Sequence, residues 1–226
     1  MVCWLYVLTM AAHDMRSPAA WSPHYFAMML VMWVVMTAAM MLPSAAPMVL
    51  LHAAIAERQS QRRAAALATN ALFVLGYLAV WSAFAAGATL LQWLLADGAL
   101  LSPMMHTTSQ GLAGSLLIAA GVYQLTPLKQ SCLRRCRSPL EFVMSHWRGG
   151  AAGGFAMGVR HGAYCLGCCW MLMLLLFVGG VMSLAWIAGL ALFVLVEKLA
   201  PYGHWTARLA GVGLIAWGAA VLAALA

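Results

Sequence analysis

The chain has 226 residues, 65% of them hydrophobic and only 8% charged, with a formal charge of +7. Ordinary soluble domains carry about a quarter of their residues as Asp, Glu, Lys and Arg, so this chain has too few charges to clothe a soluble globule, and its mean hydropathy of +0.90 leaves apolar surface that only lipid can take up. The positive balance does not indicate nucleic acid, because the basic residues sit in short clusters between apolar runs rather than along one amphipathic face.

Residues 1–12 are apolar but too short for a hydrocarbon core of about 30 Å, which takes about 20 residues of helix. They lack the basic n-region and small-x-small site of a signal peptide. The reading is a short N-terminal apolar segment, either part of a truncated helix or interfacial. Six apolar spans follow, at 25–52, 66–95, 111–128, 163–182, 184–200 and 207–226. The fold class is therefore all-α: one polytopic transmembrane bundle of about six spans covering 1–226. Pro43 and Pro47 remove backbone donors inside the first span and predict a kink there.

Three connections hold 11 of the 12 basic residues: Arg58, Arg62 and Arg63; Lys129, Arg134, Arg135, Arg137, Arg148 and Arg160; and Lys198 with Arg208. Alternation of the spans puts all three on one side, which the positive-inside rule makes cytoplasmic. This predicts a multi-pass protein of a bacterial inner membrane. The longest cytoplasmic connection, 129–160, has a helix-compatible stretch from Glu141 to Trp147 and ends in the glycine-rich 149–154, read as a flexible hinge.

The strongest chemical signal is His161-Gly-Ala-Tyr-Cys165-Leu-Gly-Cys168-Cys169, expected to open the fourth span at its cytoplasmic end. Helical spacing puts His161, Cys165 and Cys168 or Cys169 on one stripe, and a helix N-terminus there favours thiolate. Soft sulfur with one imidazole suits Cu(I), with Zn(II) as the alternative. Gly162 and Gly167 would admit a neighbouring helix closely. Cys132 and Cys136, four apart among arginines on the same side, are candidates to complete the site or relay metal. The competing reading is cysteine as a small packed apolar residue.

Met28, Met32, Met36 and Met40 recur every fourth residue in the first span, with Met29, Met41 and Met48 beside them. Neutral thioethers can pass Cu(I) along a helix; methionine is equally an adaptable filler, and steps of four drift by about 40° so the row spirals. His13, Asp14, Met15, His24, Met104, Met105 and His106 are candidates for an entry site at the opposite mouth. Asn70, Gln92, Gln124 and Glu197 are polar within spans, although Glu197-Lys198 lies near enough to the edge for snorkelling to account for it.

The segments Met-Met-Leu-Pro-Ser-Ala-Ala-Pro-Met (40–48), Gly-Val-Tyr-Gln-Leu-Thr-Pro-Leu-Lys (121–129), Cys132-x-x-x-Cys136-Arg-Ser-Pro and Gly-x-x-His-Gly-Ala-Tyr-Cys-x-Gly-Cys-Cys-Trp (158–170) resemble those of a family of bacterial integral membrane proteins of unknown function known as predicted metal-binding membrane proteins. The resemblance covers nearly the whole chain and marks Cys132, Cys136, His161, Cys165, Cys168 and Cys169. It implies metal binding without a stated substrate.

No phosphate loop, nucleophile elbow or H-E-x-x-H pair is present, so the chain reads as a binding or transport protein rather than an enzyme. The leading expectation is a soft-metal protein, Cu(I) first, acting in transport, delivery or homeostasis, with the lipid bilayer and a metal chaperone or membrane-complex subunit as partners and room for an oligomer. Two alternatives stand beside it: a membrane thiol–disulfide oxidoreductase, disfavoured because five of the six cysteines fall on the reducing side, and a non-catalytic assembly subunit.

Overall fold

The computed structural model describes residues 5, 21–60, 62–98, 100–101, 107 and 109–225. The 1–12 segment other than Leu5, and His13, Asp14, Met15, Met104, Met105 and His106, lie outside the described residues. The helices are α1 (Pro23–Gln59), α2 (Arg63–Asp97), α3 (Gln110–Leu125), α4 (Pro127–Arg137), α5 (Pro139–His146), α6 (Gly150–Leu174), α7 (Leu176–Gly179), α8 (Leu184–Leu199) and α9 (Gly203–Ala223). Among the described residues there is no strand, only an isolated bridge between Leu101 and Thr107.

Local chemistry sets the starts. Ser22 caps α1 by accepting from the Tyr25 N–H at 3.1 Å, with Pro23 next to it. Thr126 caps α4 in the same way, accepting from the Lys129 N–H at 3.3 Å, with Pro127 first in the helix. That proline also ends α3, because the residue before a proline is pushed out of helical geometry. Leu199 ends α8 for the same reason, with Pro201 two residues on. α1 runs unbroken through Pro43 and Pro47.

Four helices, α1, α2, α6 continued by α7, and α9, are long and apolar enough to cross a membrane. A fifth results if α3 and α4, bent by 64° at Thr126, count as one broken span. α8 has the composition but only 16 residues, about 24 Å at 1.5 Å per residue. Helices thus cover most of each of the six apolar runs of the sequence, and the two ended by prolines are short.

The 149–154 segment is not a hinge. α6 starts at Gly150, thirteen residues before the expected 163, and its glycines form a contact stripe. A Cβ at Gly154 would strike the Thr69 carbonyl of α2, and one at Gly158 the Phe73 carbonyl. Gly162 lies against Val80 and Tyr77, where a Cβ would come within 3.1–3.2 Å. Steps of four keep the three on one face, so α2 and α6 touch backbone to backbone. A second such pair joins α3 to α9: a Cβ at Gly121 would lie 2.6 Å from the Gly211 carbonyl oxygen, and one at Gly218 2.7 Å from that of Gly114.

The three basic connections meet at one end of the bundle. Trp147 Nε1, after α5, donates to Gln59 Oε1 at 2.8 Å, before the α1–α2 turn. Arg137 donates to the Pro201 carbonyl at 2.9 Å, in the α8–α9 turn. At the other end, the Thr107 N–H donates to the Phe177 carbonyl at 2.9 Å.

A buried sulfur cluster as candidate functional site

Because α6 begins about three turns before His161, the Cys165-Leu-Gly-Cys168-Cys169 motif lies inside a helix and not at its N-terminus. The expected help from orphan N–H groups is absent, since dipole effects fade beyond the first turn. The motif is instead walled in by α1, α2, α4 and α8, and all three thiols are fully buried.

The three sulfurs meet different neighbours. Cys168 Sγ lies 4.0 Å from Cys136 Sγ of α4, so the Cys-x-x-x-Cys spacing does turn a sulfur toward α6. Cys169 Sγ lies 3.8 Å from the Met41 thioether of α1. Cys165 Sγ sits 3.0 Å from the Tyr77 hydroxyl and accepts from Lys198 Nζ at 2.9 Å. Cys168 and Cys169 also donate back to the Cys165 carbonyl at 3.1 and 2.9 Å. Cys132, one turn before Cys136, is half-buried against Gly167, where a Cβ would lie 2.8 Å from its sulfur. The five described cysteines are all free thiols.

Lys198 was the residue the sequence misplaced. It does not snorkel: it is 5% exposed and also donates to Ser44 Oγ at 3.1 Å, beside the helix-interior prolines of α1. Glu197 does not reach the edge either. It is fully buried 2.7 Å from Lys129 Nζ, itself fully buried, so Lys129 belongs to the interior rather than to the basic surface. Pairing explains both placements, because a buried charge is tolerated only with a partner. Lys198 and Tyr77 lie 33 and 88 residues from Cys165; the one sequence signal was a charge pair inside an apolar run.

His161 is buried but its ring faces Phe73, Tyr77 and Phe142, at centroid distances of 6.1, 5.9 and 5.4 Å. Its Nδ1 has no hydrogen-bond partner among the described residues. Tyr77 touches both this ring and the Cys165 sulfur. On the far side of Phe73, His52 stacks at 4.5 Å and its Nδ1 meets Asn70 Oδ1 at 3.0 Å.

Of the methionine row, Met32, Met36 and Met40 are buried in the core with Met29 and Met41, whereas Met28 is half-buried at its margin. Met41, not Met40, is the one whose sulfur meets a thiol. Trp33 Nε1 donates to Gln92 Oε1 at 2.7 Å, and Gln92 Nε2 donates to the Met29 sulfur at 3.7 Å, which accounts for a polar residue in α2.

Among the described residues no three His, Cys, Asp or Glu side chains already surround a common ion position. The sulfurs are paired instead. With metal–sulfur bonds of about 2.3 Å, separations of 4.0 and 3.8 Å correspond to angles of roughly 120° and 110° at an ion, within the range of low-coordinate soft-metal sites.

A family model described as PpoB2, copper chaperone, matches residues 30–221. The chain belongs to the PpoB2 copper chaperone family. No curated protein and no solved structure matches it. The matched region takes in every sulfur of the cluster, Lys198 and the Met32–Met40 part of the row, but leaves Met28 outside.

Proposed function

We propose that the chain is a membrane-embedded Cu(I) carrier that holds the ion among Cys165, Cys168, Cys169, Cys136 and Met41. Delivery to a partner would take place at the basic, cytoplasmic end of the bundle. The observation that carries this reading is the pairing of three thiols and a thioether from three separate helices, Cys136 with Cys168 and Met41 with Cys169, beside the buried Cys165, in a chain whose family name specifies copper. Thiolate and thioether together select Cu(I), which accepts low coordination numbers. Zn(II) prefers four closed ligands, whereas the sulfurs here meet in pairs; His161 remains the candidate for an additional ligand.

The buried thioethers Met29, Met32, Met36 and Met40 would supply the approach along α1 from the opposite mouth, ending at Met41 and Cys169. The apolar helices imply lipid as surroundings, with six passes of which α3 and α8 are short. The clustering of basic connections at one end supports an inner-membrane orientation with that end in the cytoplasm.

The test is metal analysis of the detergent-purified full chain, loaded with Cu(I) under reducing conditions. Wild type is expected to retain about one copper per chain, and Cys165→Ser/Cys168→Ser/Cys169→Ser close to none. Equal copper in the two would end the proposal. The Cys136–Cys168 proximity also fits thiol–disulfide exchange; that reading requires instead a Cys136–Cys168 disulfide in wild-type cells and unchanged copper in the variant.

A further inference from the structure

A lysine lies inside the thiol cluster, and among the described residues no carboxylate forms an ion pair with it. Lys198 Nζ contacts Cys165 Sγ and Ser44 Oγ. The adjacent carboxylate, Glu197, is held by Lys129 at 2.7 Å. Burial of a lone ammonium in such surroundings is strongly unfavourable, while burial of a neutral set is tolerated. Hydrogen bonding to a serine hydroxyl supplies no charge. The sulfur site must therefore supply it.

We infer that Lys198 is the built-in counter-charge of the copper site, letting one monovalent ion be held by two thiolates at zero net charge inside the bundle. This rests on the copper reading above and adds a role for a residue that cannot itself be a ligand while it remains an ammonium. The balance is simple. In the metal-free chain one sulfur is already the thiolate that matches Lys198, so one Cu(I) replaces the single proton of a second thiol, which leaves to solvent, and the two thiolates with the ion form a complex of charge −1. The ammonium of Lys198 brings the sum to zero. Without it, neutrality would restrict Cu(I) to one thiolate and neutral donors such as Met41, a weaker ligand set. The same charge would disfavour a divalent ion on two thiolates, which would leave the interior at +1.

The experiment compares wild type with Lys198→Met, Lys198→Gln and Lys198→Arg, each as the full chain in detergent. Cu(I) is distributed between protein and a chromogenic cuprous chelator, and size-exclusion elution reports folding. Both neutral variants are expected to hold Cu(I) at least ~100-fold more weakly, the scale of leaving a buried charge unmatched. Lys198→Arg, which restores the charge, is expected to stay within about tenfold of wild type. Wild-type affinity in Lys198→Met and Lys198→Gln would overturn the inference and leave the copper reading standing. Loss in all three, arginine included, would overturn it in favour of a purely packing role. Failure of the neutral variants to fold without metal would also contradict it, since exchanging a buried charge for a neutral side chain is expected to be tolerated in the apo chain. Absence of copper from wild type would remove both readings together.

Discussion

Met40 and Met41 are adjacent and equally buried, yet the Met41 sulfur meets Cys169 while Met40 packs in the apolar core. Exchanging each for leucine separates a ligand of the holding site from a residue of the approach to it, because the swap nearly conserves volume and costs less than about 1.5 kcal/mol in stability. Met41→Leu is expected to weaken Cu(I) retention by roughly tenfold, one lost soft ligand, and Met40→Leu to leave it within about twofold; chelator competition measures both. The buried pair gives the opposite pattern. Glu197→Ala leaves Lys129 unmatched and is expected to cost about 3–5 kcal/mol, read as a lower thermal midpoint in detergent, whereas Glu197→Leu/Lys129→Met is expected to recover most of the loss. At this scale the cysteines were legible, because three thiols within five residues are conspicuous in an apolar run. Lys198 was not: snorkelling and burial look alike until the partners, Cys165 and Ser44, are placed in space.

Among elements, the α2–α6 contact positions the cluster. Gly154, Gly158 and Gly162 let α6 lie against α2, which brings Tyr77 to Cys165 and Phe73 to His161. Gly158→Leu puts a side chain where the Phe73 carbonyl stands. It is expected to destabilise the fold by more than the roughly 1–3 kcal/mol of ordinary overpacking, seen as aggregation or a lowered thermal midpoint. Gly149→Leu, outside this contact and with open space at its Cβ, is expected to change neither. The helical spans could be read from apolar periodicity and length, but the start of α6 could not. A run of glycines reads locally as a flexible linker, and only the facing backbone of α2 shows that its last member, Gly154, begins a packing surface. The same misreading placed the thiols at a helix N-terminus when they lie mid-helix.

For the molecule as a whole, the sequence located the polarity of the bundle through its basic residues, and the contacts Trp147–Gln59 and Arg137–Pro201 tie those connections to one end. If that end is cytoplasmic, a membrane-impermeant maleimide added outside intact cells is expected to label a cysteine introduced at Gly98 and to spare one introduced at Gln59. The reverse result would invert the orientation. The meeting of α1, α4, α6 and α8 around one cluster was beyond sequence reasoning, because helix order in a bundle depends on long-range packing and not on spacing. In the proposed carrier these sulfurs share a single copper ion. X-ray absorption at the copper edge of the loaded wild-type chain tests this: a shell of two or three sulfurs at about 2.3 Å is expected, and a shell dominated by nitrogen or oxygen would contradict it.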